Sequence, residues 1–188
     1  MSKFPNRERK ALLVIDVQND VVGDAWHREE VISNINTLVA KARESQTPVI
    51  WVQHSDDYMD IGTHGWQIVS ELQSMTNEPL IRKKFRSSFE GTILDETLAK
   101  LGVGHLVISG AQTDNCVRHT CHAALERGYD VTLVEDAHTT SDGQWDSGIL
   151  LASTIIDEMN RSFQDYELPS RNADIATTEE VFFQRQKY

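Results

Sequence analysis

The chain has 188 residues, with 18 Lys and Arg against 29 Asp and Glu, a formal net charge of −11 and a pI of about 5.0. So acidic a surface repels nucleic-acid phosphates and anionic membranes, and no apolar run approaches the ~20 residues of a spanning helix, so neither partner is expected. The polar N-terminus and two lone cysteines point to a cytoplasmic globular protein without disulfides, one domain over residues 1–188.

In chain order, Ala11 to Val17 is an unalternating apolar run broken by Asp16, the pattern of a strand covered on both faces. Gln18 to Asp24 reads as a loop. From Arg28 to Gln46, Val31, Ile32, Ile35, Leu38, Val39 and Ala42 recur at helical spacing. Pro48 to His54 is a second strand, and a polar stretch follows from Ser55 to Gly65. Trp66 to Gln73 reads as a short helix and Pro79 to Lys84 as a third, basic strand. Thr92 to Leu101 is a helix stopped by Gly102. Gly104 to Ser109 is a fourth strand, and Cys116 to Arg127 is a helix closed by Gly128. Tyr129 to Asp136 is a fifth strand, Gln144 to Phe163 a helix, and Asp174 to Thr177 a last weak strand. Alternation of strand and helix predicts an α/β fold: a three-layer αβα arrangement on a Rossmann-like, mainly parallel sheet of about six strands, order 3-2-1-4-5-6.

That order makes the first and fourth strands neighbours at the switch point, where such sheets place their sites. Asp16 ends the first strand and Cys116 opens the helix after the fourth, so the two converge. A cysteine at a helix start feels unpaired N–H groups and the positive dipole end, which favour its thiolate. Lys83 or Lys84, on the third strand, can hold the resulting ion pair. Adjacent strand residues face opposite sides, so one lysine of the two enters the crevice. Each residue also has a plainer reading: Cys116 as an inert core thiol, Asp16 as a capping acid, the lysines as solvated charges.

Three segments, Leu12 to Asp20, Arg82 to Thr92 and Gly110 to Val117, together resemble the isochorismatase-like cysteine hydrolases, a superfamily that includes nicotinamidases and related amidohydrolases. The resemblance runs from about Ala11 to Asp136. It implies Cys116 as nucleophile, Asp16 as general base and, by its spacing to Ser87-Ser88-Phe89, Lys83 rather than Lys84 as the catalytic lysine. It also implies a non-proline cis peptide at Ala111–Gln112, with the Gln112 and Cys116 amides as oxyanion donors. The implied activity is cleavage of a C–N bond in a small amide, lactam or carbamoyl compound through a thioester. No cofactor is implied, and members commonly assemble as homodimers or homotetramers.

Two alternatives accompany this reading. One is a non-catalytic α/β module that binds a ligand or partner. The other is a metal-assisted nicotinamidase, whose family pattern is Asp-x-His after the second strand and a further His; this chain has the reverse, His54-Ser55-Asp56, with His64 beyond. His54, Asp56 and His64 are therefore expected to be loop residues without a metal. Trp66 and Phe89 are candidate pocket walls or, equally, ordinary core residues, and Gln18 and His54 are candidate polar contacts to a small-molecule substrate.

Overall fold

The run from Ala11 to Ile15 lacks alternation because both of its faces are covered. In the computed structural model, which describes residues 2–146, 148–164 and 166–183, it lies in β1 (Arg9–Ile15). Ala11, Leu13 and Ile15 enter one apolar core, while Leu12 and Val14 enter a second. Beside β1 run β2 (Val49–His54) and β3 (Leu80–Lys83) on one side, and β4 (Val103–Ala111), β5 (Asp130–Thr139) and β8 (Ala173–Ala176) on the other. All five pairings are parallel, in the order β3-β2-β1-β4-β5-β8. This is the expected order, with β8 in sixth place.

The first core is covered by α3 (Leu94–Lys100), α4 (Arg118–Arg127) and α5 (Ala152–Gln164), through Leu94 and Leu98, Cys121, Ala124 and Leu125, and Met159 and Phe163. The second is covered by α2 (Arg28–Glu44), whose Val31, Ile32, Ile35, Leu38, Val39 and Ala42 are all buried. Burying each of the larger of these stabilises by about 1.5–3 kcal/mol before the entropy of ordering is counted. Glu29 and Glu30 in the first turn of α2 and Lys41 and Arg43 in its last suit the helix dipole. At the end of α4, Gly128 adopts φ 107 and its N–H reaches the Ala124 and Leu125 carbonyls.

Three elements differ from expectation. The segment 66–73 forms no helix; it lies against the end of β1, with Val69 N–H donating to Val17 O and Gln18 bridging Ile68. Four residues of the expected loop form α1 (Asn19–Val22). The helix expected from Gln144 begins only at Ala152, because β6 (Gly143–Trp145) and β7 (Gly148–Leu150) pair as an antiparallel hairpin. Gly148 at φ 128 fits a hairpin turn and not a helix, and Trp145 and Ile149 are exposed. Among the described residues no helix is long and apolar enough to cross a membrane.

Candidate active site

Three strand ends meet at the carboxyl edge of the sheet. Asp16 follows β1, its N–H still donating to Val52 O of β2 at 3.0 Å, and adopts φ 50. This left-handed conformation, tolerated by Asp better than by most residues, turns its side chain off the strand line. Lys83 ends β3, where burial alternates: Leu80 and Arg82 are exposed, Ile81 and Lys83 buried, and Lys84 is exposed again. Cys116 lies in the π-helical turn Thr113–Val117 that leads into α4. The β1–β4 approach behind this turn depends on Gly110, at φ 118, where a Cβ would stand 2.1 Å from Ile15 O.

Lys83 Nζ lies 2.6 Å from Asp16 Oδ2 and 3.1 Å from Cys116 Sγ, and both side chains of the ion pair are essentially dry, 0% and 1% exposed. Beyond this pair, neither Asp16 carboxylate oxygen has a fixed hydrogen-bond donor among the described residues; the rotatable Cys116 S–H is its other neighbour. Burial raises the Asp16 carboxyl above its ordinary range, opposed by Lys83, by the thiol and by His54. Burial, then the Asp16 charge, push the Cys116 thiol up to about 12 against the pull of Lys83. The resting thiol is thus neutral. This corrects the expectation of a preformed thiolate: the helix start is present, but desolvation and a neighbouring anion outweigh it.

The Ala111–Gln112 peptide is cis. Gln112 O accepts from the N–H groups of Asn115 and Val117, each at 3.1 Å. Beneath the turn, Thr113 Oγ1 and His138 Nδ1 are 2.9 Å apart, and His138 Nε2 lies 2.8 Å from Asn160 Oδ1. Because Asn160 Nδ2 donates to Glu135 O, its oxygen accepts from His138, so the Thr113 hydroxyl donates to Nδ1. Burial lowers His138 to about 4, keeping it the neutral partner this network needs. Thr140 Oγ1 donates to Asp114 Oδ1 at 2.8 Å, bracing the turn from β5's end.

Of the expected pocket residues, Gln18 is corrected. It is fully buried, with Oε1 accepting His54 N–H at 2.7 Å and Nε2 donating to His54 O at 2.9 Å and Trp66 O at 2.7 Å, so its polar atoms brace the backbone. Phe89 is also corrected. It is 5% exposed, belongs to the first core and packs on Tyr129 with ring centroids 5.8 Å apart. Trp66 is half-buried, its ring 5.7 Å from the Arg82 guanidinium. His54 reaches the site: Nδ1 lies 3.4 Å from Lys83 Nζ and Nε2 lies 3.1 Å from Asp56 Oδ2.

The nicotinamidase-type metal set does not fit. His54 and Asp56 are occupied with Lys83 and with each other, and among the described residues no three His, Cys, Asp or Glu side chains are grouped to hold an ion. Two site contacts escaped the sequence reading, the Phe85 carbonyl that accepts from Lys83 at 3.1 Å and the His54–Lys83 pair itself. The second had a signal: both residues end neighbouring parallel strands, where register sets them side by side.

Comparison with known proteins identifies the family. The family model described as "Isochorismatase domain" matches residues 10–152. The uncharacterized isochorismatase family protein YddQ of Bacillus subtilis (strain 168) is 31% identical over 154 residues, covering 77% of this chain and 86% of the relative. Nicotinamidase 3 of Arabidopsis thaliana is 29% identical over 153 residues, 72% of this chain and 76% of the relative. The crystal structure of an isochorismatase from Pseudomonas putida KT2440 superposes with a TM-score of 0.85 at 28% identity, over 93% of this chain and 90% of that one. The chain therefore belongs to the isochorismatase family and is a hydrolase.

Proposed function

We propose that the protein is a cysteine amidohydrolase that cleaves the C–N bond of a small amide, lactam or carbamoyl compound, with Asp16, Lys83 and Cys116 as its catalytic groups. The observation that carries this reading is the single ammonium, Lys83 Nζ, placed 2.6 Å from one buried carboxylate and 3.1 Å from one thiol. Kinship with a nicotinamidase supports amide hydrolysis.

In the proposed cycle, Asp16 takes the proton of Cys116 as sulfur bonds to the carbonyl carbon. Since the resting thiol is neutral, proton transfer and attack are coupled. Lys83 stabilises the sulfur as charge develops, and the Gln112 and Cys116 amides receive the oxyanion. The C–N bond breaks, and the nitrogen leaves with the proton from Asp16. Water then gives a proton to Asp16 as its oxygen bonds to the thioester carbon. The S–C bond breaks, and the thiolate recovers that proton.

The test is ammonia release across a panel of small primary amides, lactams and ureido compounds. Cys116→Ala and Lys83→Ala are each expected to lower turnover by roughly 10²-fold or more, and Lys84→Ala to stay within about twofold. Equal losses from the two lysine variants sink the lysine assignment. No release from any compound, with Cys116 nonetheless intact, favours a binding module.

A further inference from the structure

Lys83 Nζ has more acceptors than protons. Asp16 Oδ2 lies at 2.6 Å, Phe85 O at 3.1 Å, Cys116 Sγ at 3.1 Å and His54 Nδ1 at 3.4 Å. An ammonium has three protons for these four groups. The carboxylate and the carbonyl are the stronger acceptors, so the third proton is shared between a sulfur and an imidazole.

The imidazole is held for that contact. His54 ends β2 and pairs in register with Lys83 on β3, so both side chains leave the sheet on one face. Gln18 clamps its backbone from both sides, at 2.7 and 2.9 Å. On its outer edge Nε2 lies 3.1 Å from Asp56 Oδ2, while Asp56 Oδ1 accepts from the N–H groups of Tyr58 at 2.9 Å and Met59 at 3.0 Å, which fixes the carboxylate. The Lys83 ammonium can only donate, so Nδ1 is the accepting nitrogen and Nε2 carries the proton toward Asp56. Side-chain exposure rises along the series, from 0% at Lys83 to 17% at His54 and 43% at Asp56.

The geometry points to His54 and Asp56 as a proton outlet from the Asp16–Lys83–Cys116 centre to solvent. This inference rests on the function proposed above. Hydrolysis of the thioester yields a carboxylic acid inside a site whose carboxylate and ammonium are out of contact with water. When that acid ionises against Asp16, one proton is left over. A Lys83 N–H bond breaks as His54 Nδ1 gains that proton, the neutral Lys83 amine so formed takes the Asp16 proton as the Asp16 O–H bond breaks, and His54 releases its Nε2 proton to water beside Asp56. The imidazole then recovers its first tautomer by exchange with solvent. His54 acts through Lys83 and is a positioning residue, not a catalytic one.

The probe is 4-nitrophenyl acetate, whose burst reports acylation of Cys116 and whose steady state reports thioester hydrolysis. His54→Ala is expected to keep a burst of about one per chain and to slow the steady state ~10–100-fold. Imidazole in the buffer restores much of the loss, after subtraction of the rate seen with Cys116→Ala. Asp56→Asn, which keeps both backbone acceptor contacts through its amide oxygen, shows a smaller loss of the same kind. A His54→Ala steady state within twofold of the unchanged chain overturns the outlet, as does a loss that imidazole leaves untouched. A burst that survives Cys116→Ala, or no acylation of Cys116 at all, overturns the nucleophile assignment itself and the outlet with it.

Discussion

At the scale of single residues, the site is decided by competition between burial and charge. Cys116 has a helix start and an ammonium to favour its thiolate, and a buried position and an anion to oppose it; the opposing pair wins, and the thiol is pushed up to about 12. Alkylation by iodoacetamide should accordingly be slow at pH 7 and rise about tenfold per pH unit to pH 10, because only the thiolate reacts. Mass spectrometry of the labelled peptide checks this, and a rate already level by pH 8 rules it out. Cys121, fully buried in the first core and raised further by desolvation alone, should stay unlabelled while the chain is folded. Lys83 shows the same competition in geometry. Its neighbour Lys84 has identical chemistry, but strand alternation turns Lys84 to water and Lys83 into the site.

At the scale of elements, periodicity is legible where it reflects packing and misleading where it does not. The unbroken apolar runs of β1, β2 and β4 are legible because both faces of a parallel sheet are covered, and α2 because one stripe of it is. The hairpin of β6 and β7 was misread since Ile149 and Leu150 continue a helical spacing by coincidence, while Gly148 at φ 128 carries the contrary signal. The join between β1 and β4 makes its own prediction. Gly110→Ala adds a methyl 2.1 Å from Ile15 O at φ 118, so the two strands must part or the backbone must rearrange. A loss of at least about 2 kcal/mol is expected in urea unfolding, together with loss of Cys116 acylation, since Asp16 and Cys116 sit at the ends of these strands. A variant as stable as the parent would show that the close approach is not required.

For the whole molecule, the buried imidazoles set the response to acid. His105, bonded to Thr132 Oγ1, and His138, bonded to Thr113 and Asn160, are both held near 4 against an ordinary value of 6.5, chiefly by burial. Between those values the unfolded chain binds more protons than the folded one, so stability is complete above about pH 6.5 and is lost as pH falls toward 4. His138 alone contributes roughly 3 kcal/mol over that window. Asp16 works the other way, since its raised carboxyl is relieved by acid, and so opposes the two histidines. The melting temperature should therefore fall from pH 7 to pH 4.5; a constant or rising value rules this out. Acid would loosen the turn that carries Cys116 first, because His138 braces it.

The sequence by itself determined the fold class, the strand order and the two strand ends that bring Asp16 and Cys116 together. Those follow from hydrophobic patterning and from chain topology, which are local and statistical properties. Resemblance, not patterning, singled out Lys83, and alternation of β3 then agreed with it. What only the tertiary structure decided was every question of contact. Gln18 proved to be a brace and Phe89 core, although both carry chemistry a pocket could use. His54 proved to be the neighbour of Lys83, because parallel register aligns the last residues of β2 and β3. The state of the thiol, too, was beyond the sequence. It depends on how much water and how much charge lie within a few ångströms of sulfur, and residues distant in the chain set both.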